Sequence, residues 1–574
     1  MDQINILAGG PAGTGIESVT HSLCLAFTRE GLHSITSSEY ENVIRGGHSF
    51  ASVHAAEQPI KSHQLHYDLL IAMDRLTIEM HKDEIDAGGA IIFDGEKTKT
   101  EDIGFPEGVT ILPVPLARLA KESGLALAAN VVAVGAALAV FGWKQEAMQS
   151  VLRTIFQRKG EEVVAINHKA LQAGYEYILN EHPHRIEKQV SGDSGKRFVM
   201  SGNEAIALGC IRAGCKFLAA YPMTPGSTIM TTLAKESRNY DIVVIHAEDE
   251  IAAVNMAIGA GYSGIRAATS TSGGGMSLKS EAMSLAGQME VPVVVFDAQR
   301  PGPSTGLPTR TAQGDLRMVM HCGQGDFPRM VIAVGDHEEC VRLTSEAFNF
   351  AERFQVPVVV LTEKYLADQY RSCEYDIADG IRIDRGKVVH EVDDPETFKR
   401  FLDTPDGVSP RSIPGVKGGQ HTATSYEHTE YGKAEEEVPG VAVMMEKRWR
   451  KLDAILEAIP PPPVYGEGDH VVVIWGATKN PALAAQDILA AKGVNIKIVQ
   501  LQYIHPFKTE AVLEAVGAYR SLIFVEGNQS GQLEGVFAEH TGIRPDHSIR
   551  DYYGRPMTGE WIAEQIEEFL SSLT

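Results

Sequence analysis

The chain has 574 residues, too many for one hydrophobic core, so several domains are expected. Apolar residues make up 44% and glycine is plentiful at 55, the profile of an ordinary soluble globular protein. The formal net charge of −23 repels nucleic acid and anionic membrane surfaces, which excludes both as expected partners.

In chain order, "QINILAGGPAGTGIESVTHSLCLAFTREG" reads as strand, glycine loop and helix, and "HSITSSEYENVIRGGHSFASVHAA" as strand, loop and strand. "YDLLIAM", "GAIIFDG" and "GVTILPV" add buried strands, so residues 1–190 are expected to form a doubly wound sheet. The start carries an acid and runs straight into a strand, which is not the pattern of a signal peptide. "LALAANVVAVGAALAVFGW" (Leu125 to Trp143) is apolar for about the length of a bilayer span. It is mostly Ala, Val and Gly, with Asn130 inside, and reads as a buried helix packed closely on its neighbours. A polar linker from Arg185 to Arg197 marks a boundary. Residues 191–375 alternate helices with buried strands such as "VPVVVFDAQR" and "VPVVVLTEKY", a parallel α/β sheet with its chemistry expected at the strand C-termini. Residues 376–465 read as an irregular connection ending in the stiff "IPPPPV", and 466–574 return to the α/β pattern. The cysteines are Cys24, Cys210, Cys215, Cys322, Cys340 and Cys373, with no C-x-x-C. The closest pair, Cys210 and Cys215, reads as lying on one helix. Neither a disulfide framework nor a cysteine-held metal cluster is expected, and scattered thiols suit a reducing cytoplasm.

Five stretches carry candidate chemistry. "GGPAGTG" (Gly9 to Gly15) is either a phosphate-cradling loop or a packing turn. "IRGGHS" sets Arg45 beside Gly46 and Gly47, either to recognise a carboxylate or phosphate or to brace its own turn. "AAYPMTPGST" brings Tyr221, Pro222, Thr224 and Pro225 together at a strand end, a shaped turn lined with hydroxyls. "HAEDEIAAV" offers Glu248, Asp249 and Glu250, which cannot all face one place. One of them, opening a helix of small apolar residues, would have its pKa raised and could share a proton with a ring nitrogen; alternatively the acids merely complement the helix dipole. "AQRPGPSTGLPTRTAQGD" places Arg300 at the end of an apolar strand, followed by a loop with Ser304, Thr305, Thr309 and Thr311. An arginine among hydroxyls can hold a small carboxylate, or it can be structural.

"YPMTPGST", "EDEIAAVNMAIGAGYSGIRAATSTSGGG", "QRPGPSTGLPT", "QGD" and "GDFPR" together resemble the α subunit of 2-oxoacid:ferredoxin oxidoreductases, most of all the 2-oxoglutarate branch. "GGPAGTGI…EYENVIRGGHS" resembles that family's γ domain, here fused ahead of the α domains, and "VIWGAT", "IHPF" and "VEGNQSGQL" resemble its C-terminal domain. The resemblance implies several doubly wound parallel α/β domains: a γ-type domain, a thiamine diphosphate pyrimidine-type domain, and a transketolase C-terminal-like domain. It places Thr224 over thiamine diphosphate and against substrate, with Tyr221 and Pro222 in the same cofactor turn. It assigns Glu250 to N1′ of the aminopyrimidine, Arg300 to the 2-oxoacid carboxylate, Thr309 beside the substrate, and Arg45-Gly46-Gly47 to the reception of coenzyme A. The chain departs from the usual family turn at Met223 and Gly226, where isoleucine and serine are customary. It has Gly273-Gly274-Gly275 in place of Gly-Pro-Gly.

No G-D-G motif for Mg²⁺ and pyrophosphate occurs in the sequence, and no iron–sulfur cysteine cluster. The resemblance therefore implies a half site. A β subunit would bring pyrophosphate binding, Mg²⁺ and a 4Fe–4S cluster in an (αβ)2 assembly that reduces ferredoxin. The expected reaction is the coenzyme A-dependent oxidative decarboxylation of 2-oxoglutarate to succinyl-CoA and CO2, reversible toward CO2 fixation. The same chemistry on pyruvate or a broad range of 2-oxoacids is the alternative substrate reading. A non-redox thiamine diphosphate decarboxylase or synthase, and a non-catalytic coenzyme A- or partner-binding module, are the rival functions. The missing pyrophosphate motif speaks against the first, the joint presence of an arginine–hydroxyl loop and a buried acid against the second.

Overall fold

The computed structural model describes residues 3–41, 46–188 and 190–573. The chain divides into two units, the first made of Met1–Ser201, Asp368–Asp376 and Thr558–Glu560, the second of Gly202–Ala367, Ile377–Met557 and Trp561–Thr574.

The first unit is built on an eight-stranded sheet. Four strands, Thr110–Val114, Ile85–Asp94, Tyr67–Ala72 and Gln3–Ala12, run parallel in that order. The sheet then changes sense: Gly46–Ala56 pairs antiparallel with Gln3–Ala12 and with His33–Glu39, and Tyr370–Glu374 and Arg197–Ser201 continue antiparallel. The sheet is thus mixed, not uniformly parallel. The short link between His33–Glu39 and Gly46–Ala56 forces a hairpin, because a parallel pair needs a longer crossover.

The apolar run at 125–143 forms the helix Ala129–Phe141, preceded by a short 3-10 turn, and ten of its residues are buried. It crosses Glu161–Glu181 with reciprocal glycines: a Cβ on Gly135 would collide with the Leu171 carbonyl, and one on Gly174 with the Val132 carbonyl. Small residues let the two backbones approach, as the composition of the run suggested. No helix among the described residues is long and apolar enough to cross a membrane.

The second unit holds two main sheets besides the two-stranded pair Val388–Val389 and Arg411–Ser412. The larger has seven strands in the order Tyr503–His505, Met330–Ala333, Pro357–Glu363, Val293–Gln299, Ala267–Thr271, Phe217–Ala220 and Val243–His246. All its pairs are parallel except the first, where Tyr503–His505 from the C-terminal segment adds an antiparallel edge. The smaller sheet has five strands around His470–Trp475, parallel apart from the short Val464–Tyr465. One apolar core containing Val295, Val331, Leu361, Trp475, Leu501 and Phe524 joins both sheets. Parallel strands buried on both faces read as unbroken Val/Ile runs, which is why these were visible in sequence.

The segment expected to be irregular contains a 21-residue helix, Val438–Ala458. It is anchored inward by charge: Lys447 and Lys451, one turn apart, both reach the fully buried Glu290 at 2.6 and 2.5 Å. All six cysteines are buried and none forms a disulfide among the described residues. Cys210 lies on the helix Gly202–Arg212, but Cys215 falls beyond its end.

Candidate active site

The site grows from three strand ends in the second unit. Phe217–Ala220 stops one residue before the turn, leaving Tyr221 and Pro222 exposed and Thr224 half-buried. Pro225 and Gly226 are buried, and the helix Ser227–Tyr240 begins immediately after. The turn is held from two sides. Asn203 Nδ2 donates to the Pro225 carbonyl at 2.8 Å, and Arg300 Nη1 donates to the Thr224 carbonyl at 2.7 Å. A Cβ at Gly226 would lie 2.5 Å from the Thr271 carbonyl oxygen, so glycine fits this close approach where serine would have to push it apart.

The three consecutive acids take three roles. Glu248 is exposed. Asp249 is the N-cap of the helix Glu250–Tyr262, accepting from the Ala252 amide at 2.7 Å. Glu250 turns inward and is 4% exposed, with Oε1 lacking a hydrogen-bond partner among the described residues. A carboxyl oxygen buried without a donor calls for an explanation, and a ligand donor is one. The fully buried Lys279 stands behind it, its Nζ donating to the Glu250 backbone carbonyl at 3.0 Å. Burial pushes Lys279 down to about 8 even though Glu250 and Asp297 favour its charge.

The triple-glycine turn follows the strand Ala267–Thr271. A Cβ at Gly275 would meet Glu250 Cγ at 2.8 Å, and one at Gly273 would meet both Asp315 carboxylate oxygens at 2.7 Å. Nothing crowds Gly274, so the proline customary there would find space. The two carboxyls thus lie against the two ends of one bare turn.

Arg300 follows the strand Val293–Gln299 and is half-buried. Thr309 and Thr311 in the loop after it are buried, whereas Ser304 and Thr305 are exposed. The loop end is fastened to the C-terminal sheet through Gln313. This side chain donates from Nε2 to Glu363 Oε1 and to the Trp475 carbonyl at 2.9 Å each, and accepts from the Gly527 amide at 2.7 Å. Thr311 Oγ1 donates to Glu363 Oε2 at 3.3 Å. Burial pushes the Glu363 carboxyl up to about 7.

In the first unit, Arg45 lies outside the described residues. Gly46 and Gly47 begin the strand Gly46–Ala56, Gly47 with φ +70°. The next residue, His48, is buried and shares a 2.8 Å contact between Nε2 atoms with His81, whose Nδ1 meets Glu84 at 2.7 Å. In "GGPAGTG", Gly13 and Gly15 have φ of +84° and +82°, so the turn itself requires glycine there.

The chain matches three family models in sequence order. "Pyruvate ferredoxin/flavodoxin oxidoreductase" covers residues 5–177, "Pyruvate flavodoxin/ferredoxin oxidoreductase, thiamine diP-bdg" covers 208–447, and "Transketolase, C-terminal domain" covers 464–544. It is 33% identical to the 2-oxoacid:ferredoxin oxidoreductase subunit alpha of Saccharolobus solfataricus, over 98% of this chain and 97% of that one. The chain belongs to the α subunits of the 2-oxoacid:ferredoxin oxidoreductases. It is also 28% identical to the 2-oxoglutarate oxidoreductase subunit KorA of Mycobacterium tuberculosis, over 82% of this chain and 76% of the relative. Among solved structures it resembles the 2-oxoglutarate:ferredoxin oxidoreductase from Magnetococcus marinus with 2-oxoglutarate, coenzyme A and succinyl-CoA bound. That match has a TM-score of 0.91, 31% identity and 99% coverage of both chains.

Within this α subunit of the family, the structure brings Thr224, Glu250 and Arg300 to neighbouring strand ends, linked through Gly226, Thr271, Gly275 and the Arg300–Thr224 hydrogen bond. Lys279, Asp297, Asp315, Gln313 and Glu363 escaped the sequence reading as site residues. The signal was present in "VVVFDAQ", "QGD" and "LTEK": a charge set in an apolar strand or directly after a motif glycine.

Proposed function

We propose that this chain is the α half of a coenzyme A-dependent 2-oxoglutarate:ferredoxin oxidoreductase. The supporting relatives and structural neighbour share the family, and two of them carry 2-oxoglutarate in their names. The observation that carries the catalytic reading is Glu250: a carboxyl 4% exposed, with a donor-free oxygen, at the start of the helix Glu250–Tyr262. Such a carboxyl suits a ring nitrogen that must be protonated or hydrogen-bonded, so the residues fit the aminopyrimidine of thiamine diphosphate. When bound, thiamine diphosphate supplies a carbon nucleophile and an electron sink.

The chain's own residues do the rest. Glu250 holds the proton that the aminopyrimidine requires. Arg300 pairs with the carboxylate of the 2-oxoacid through its two-pronged guanidinium, and Thr224 and Thr309 orient the substrate by their hydroxyls. Tyr221 and Pro222 form the exposed lip of the cofactor turn. In this reading Arg45, Gly46 and Gly47 help receive coenzyme A. Overall, 2-oxoglutarate and coenzyme A give succinyl-CoA and CO2 while two oxidised ferredoxins are each reduced by one electron, and a strong reductant drives the reverse, CO2-fixing direction. A β subunit supplies the pyrophosphate and Mg²⁺ site and the 4Fe–4S cluster, in an (αβ)2 assembly located in the cytoplasm. The segments 1–190, 191–375, 376–465 and 466–574 serve as γ-type, pyrimidine-type, connecting and C-terminal domains.

The test is reconstitution with the β subunit, followed by viologen or ferredoxin reduction with 2-oxoglutarate or pyruvate, with and without coenzyme A. Preference for 2-oxoglutarate and strict dependence on coenzyme A are expected, and the α chain alone should be colourless and inactive. Equal or better turnover of pyruvate overturns the substrate assignment, and a brown α chain with stoichiometric iron and sulfide overturns the half-site reading.

A further inference from the structure

Behind the three strand ends lies a set of buried polar atoms that the reaction does not use. Asp297 is fully buried, and neither of its carboxylate oxygens has a hydrogen-bond partner among the described residues. Asp315 Oδ2, Thr269 Oγ1, Ser270 Oγ and Ser272 Oγ are likewise buried without partners. The strand registers place Thr269 and Thr271 on the face of Asp297, whereas Ser270 faces the other side. Thr271 lies opposite Asp297 and Ser270 opposite Phe296. Asp297 and Gln299 share one face of their strand, and Gln299 Oε1 accepts from the Asp315 amide at 3.1 Å, which fixes Asp315 on that face. The Asp315 carboxyl in turn lies against Gly273.

Asp297 has no donor on either oxygen and Asp315 none on Oδ2, so these neighbouring carboxyls cannot both ionise at neutral pH. Burial raises both. Asp297, pushed further by its neighbour Asp315, goes well above the ordinary carboxyl range; Asp315 is pushed up to about 6 and is opposed by Arg300. The charged and titratable groups facing the pair are few. Lys279, reached also by Glu250 and Asp249, acts on Asp297; Arg300 acts on Asp315; the Cys322 thiol lies near Asp297. Arg317, next along the chain from Leu316, is committed to Glu539 at 2.6 Å.

We propose that the Asp297–Asp315 pair takes up a proton when the 2-oxoacid carboxylate binds at Arg300, making Asp315 a determinant of substrate affinity. The proposal rests on the reading of Arg300 as the carboxylate anchor. Its logic is electrostatic. Arg300 follows Gln299, which holds the Asp315 amide, and its charge opposes the rise at Asp315, so a carboxylate bound at Arg300 and the Asp315 anion are like charges acting on one arginine. An arriving anion raises the pair's lower ionisation, so binding draws a proton from solvent, and a shared proton belongs to the pair and not to either residue. The sign follows. Below about pH 6 the pair is already protonated and binding is tightest. As pH rises through that value Asp315 becomes an anion, and affinity for the 2-oxoacid falls until the ionisation of the bound state is passed. Substrate carboxylates ionise below this window, so they do not produce the trend.

The experiment uses the reconstituted αβ complex. Titration calorimetry with 2-oxoglutarate, in two buffers of different ionisation enthalpy, reports the protons taken up per substrate bound. Steady-state KM from pH 5.5 to 8 reports the same linkage kinetically. The wild type should take up a fraction of a proton near pH 6–7, and its KM should rise several-fold, up to about tenfold, across the range. Asp315→Asn should abolish the uptake, flatten the KM profile and lower KM at pH 8 toward the wild-type value at pH 5.5. Asp297→Asn is the second variant: Asp297 is protonated while Asp315 ionises, so its amide removes no charge in this window and should leave the proton uptake and the KM bend near the wild-type pH. Melting curves establish that each variant is folded. A wild type with no proton uptake, or an Asp315→Asn variant that keeps the wild-type pH profile, overturns the proposal. Arg300→Lys is run alongside. If it leaves KM unchanged, the anchor reading has failed; if it raises KM while Asp315→Asn changes nothing, the proton-sharing pair alone has failed.

Discussion

Replacing Glu250 by glutamine changes one atom and removes the group on which the catalytic reading depends. The amide has the same shape, so it fits against Gly275 as the carboxyl does. Lys279 donates to the backbone oxygen of residue 250 and not to the side chain, so that hydrogen bond survives the substitution. The variant loses the opposite charge near Lys279, already lowered to about 8 by burial, and this pushes the ammonium further down. The cost to the fold is on the order of 1 kcal/mol, within the range of ordinary single substitutions. The cost to turnover is much larger, because an amide cannot supply a proton to a ring nitrogen. Acid–base roles of this kind are worth roughly 10²–10⁴-fold, or about 3–5 kcal/mol of barrier. The assay is coenzyme A-dependent viologen reduction by the reconstituted complex, with a melting curve on the same preparation. Activity above roughly a tenth of wild type in a folded Glu250→Gln variant refutes the assignment, since that loss is under the lower bound for such a group. Glu248→Gln is the internal control. Glu248 is exposed, so its amide should leave turnover unchanged, and a Glu248→Gln variant that is the damaged one shows that the wrong acid was chosen.

Arg300→Lys should reduce kcat/KM for the 2-oxoacid by ten- to a hundred-fold, the loss of about 1.5–3 kcal/mol expected when a point charge replaces a two-pronged contact. The coenzyme A dependence should be unchanged; a lowered melting point with unaltered KM would make Arg300 a brace for the Thr224 turn. Glu290→Gln should destabilise the protein by about 3–5 kcal/mol, because it strands the buried Lys447 and Lys451 ammoniums without their shared carboxylate. Thermal denaturation checks this, and a melting point within a degree or two of wild type refutes it. Glu363 gives a pH prediction. Its carboxyl is raised from 4.5 to about 7 in the fold, so the protonated form is favoured: the penalty is absent below 4.5 and complete above about 7. That penalty is on the order of 3 kcal/mol. Glu363→Gln should therefore raise the melting point at pH 8, match wild type near pH 4.5 and flatten the trend between; a lower melting point at pH 8 refutes the reasoning.

How far the site could be read in advance depended on whether a residue's surroundings are local. The turn at Tyr221–Gly226 and the arginine at 300 stood out because prolines, glycines and hydroxyls crowd the ends of apolar runs, and in a parallel sheet those ends converge. The choice of Glu250 among three acids is a matter of phase. Successive residues entering a helix point about 100° apart, so one of Glu248, Asp249 and Glu250 can cap, one can face solvent and one can face inward. Sequence establishes that they differ, and the packing of Gly275 against Glu250 establishes which is which. Asp297 showed only as a charge set in an apolar strand, and its partner did not show at all. A strand buried on both faces has no polar alternation, so "VVVFDAQ" gives no sign that its aspartate meets another carboxyl eighteen residues on. The mixed sheet of the first unit and the charged helix Val438–Ala458 escaped in the same way. Each depends on a partner distant in sequence: Tyr370–Glu374 adds to a sheet begun at Gln3, and Lys447 and Lys451 are drawn inward by Glu290. A lysine pair on a long helix ordinarily means a solvated face. Here one buried carboxylate reverses that meaning, and a milder form of the same inversion recurs behind the strand ends, where Asp297 favours the charge of Lys279 and Arg300 that of Asp315.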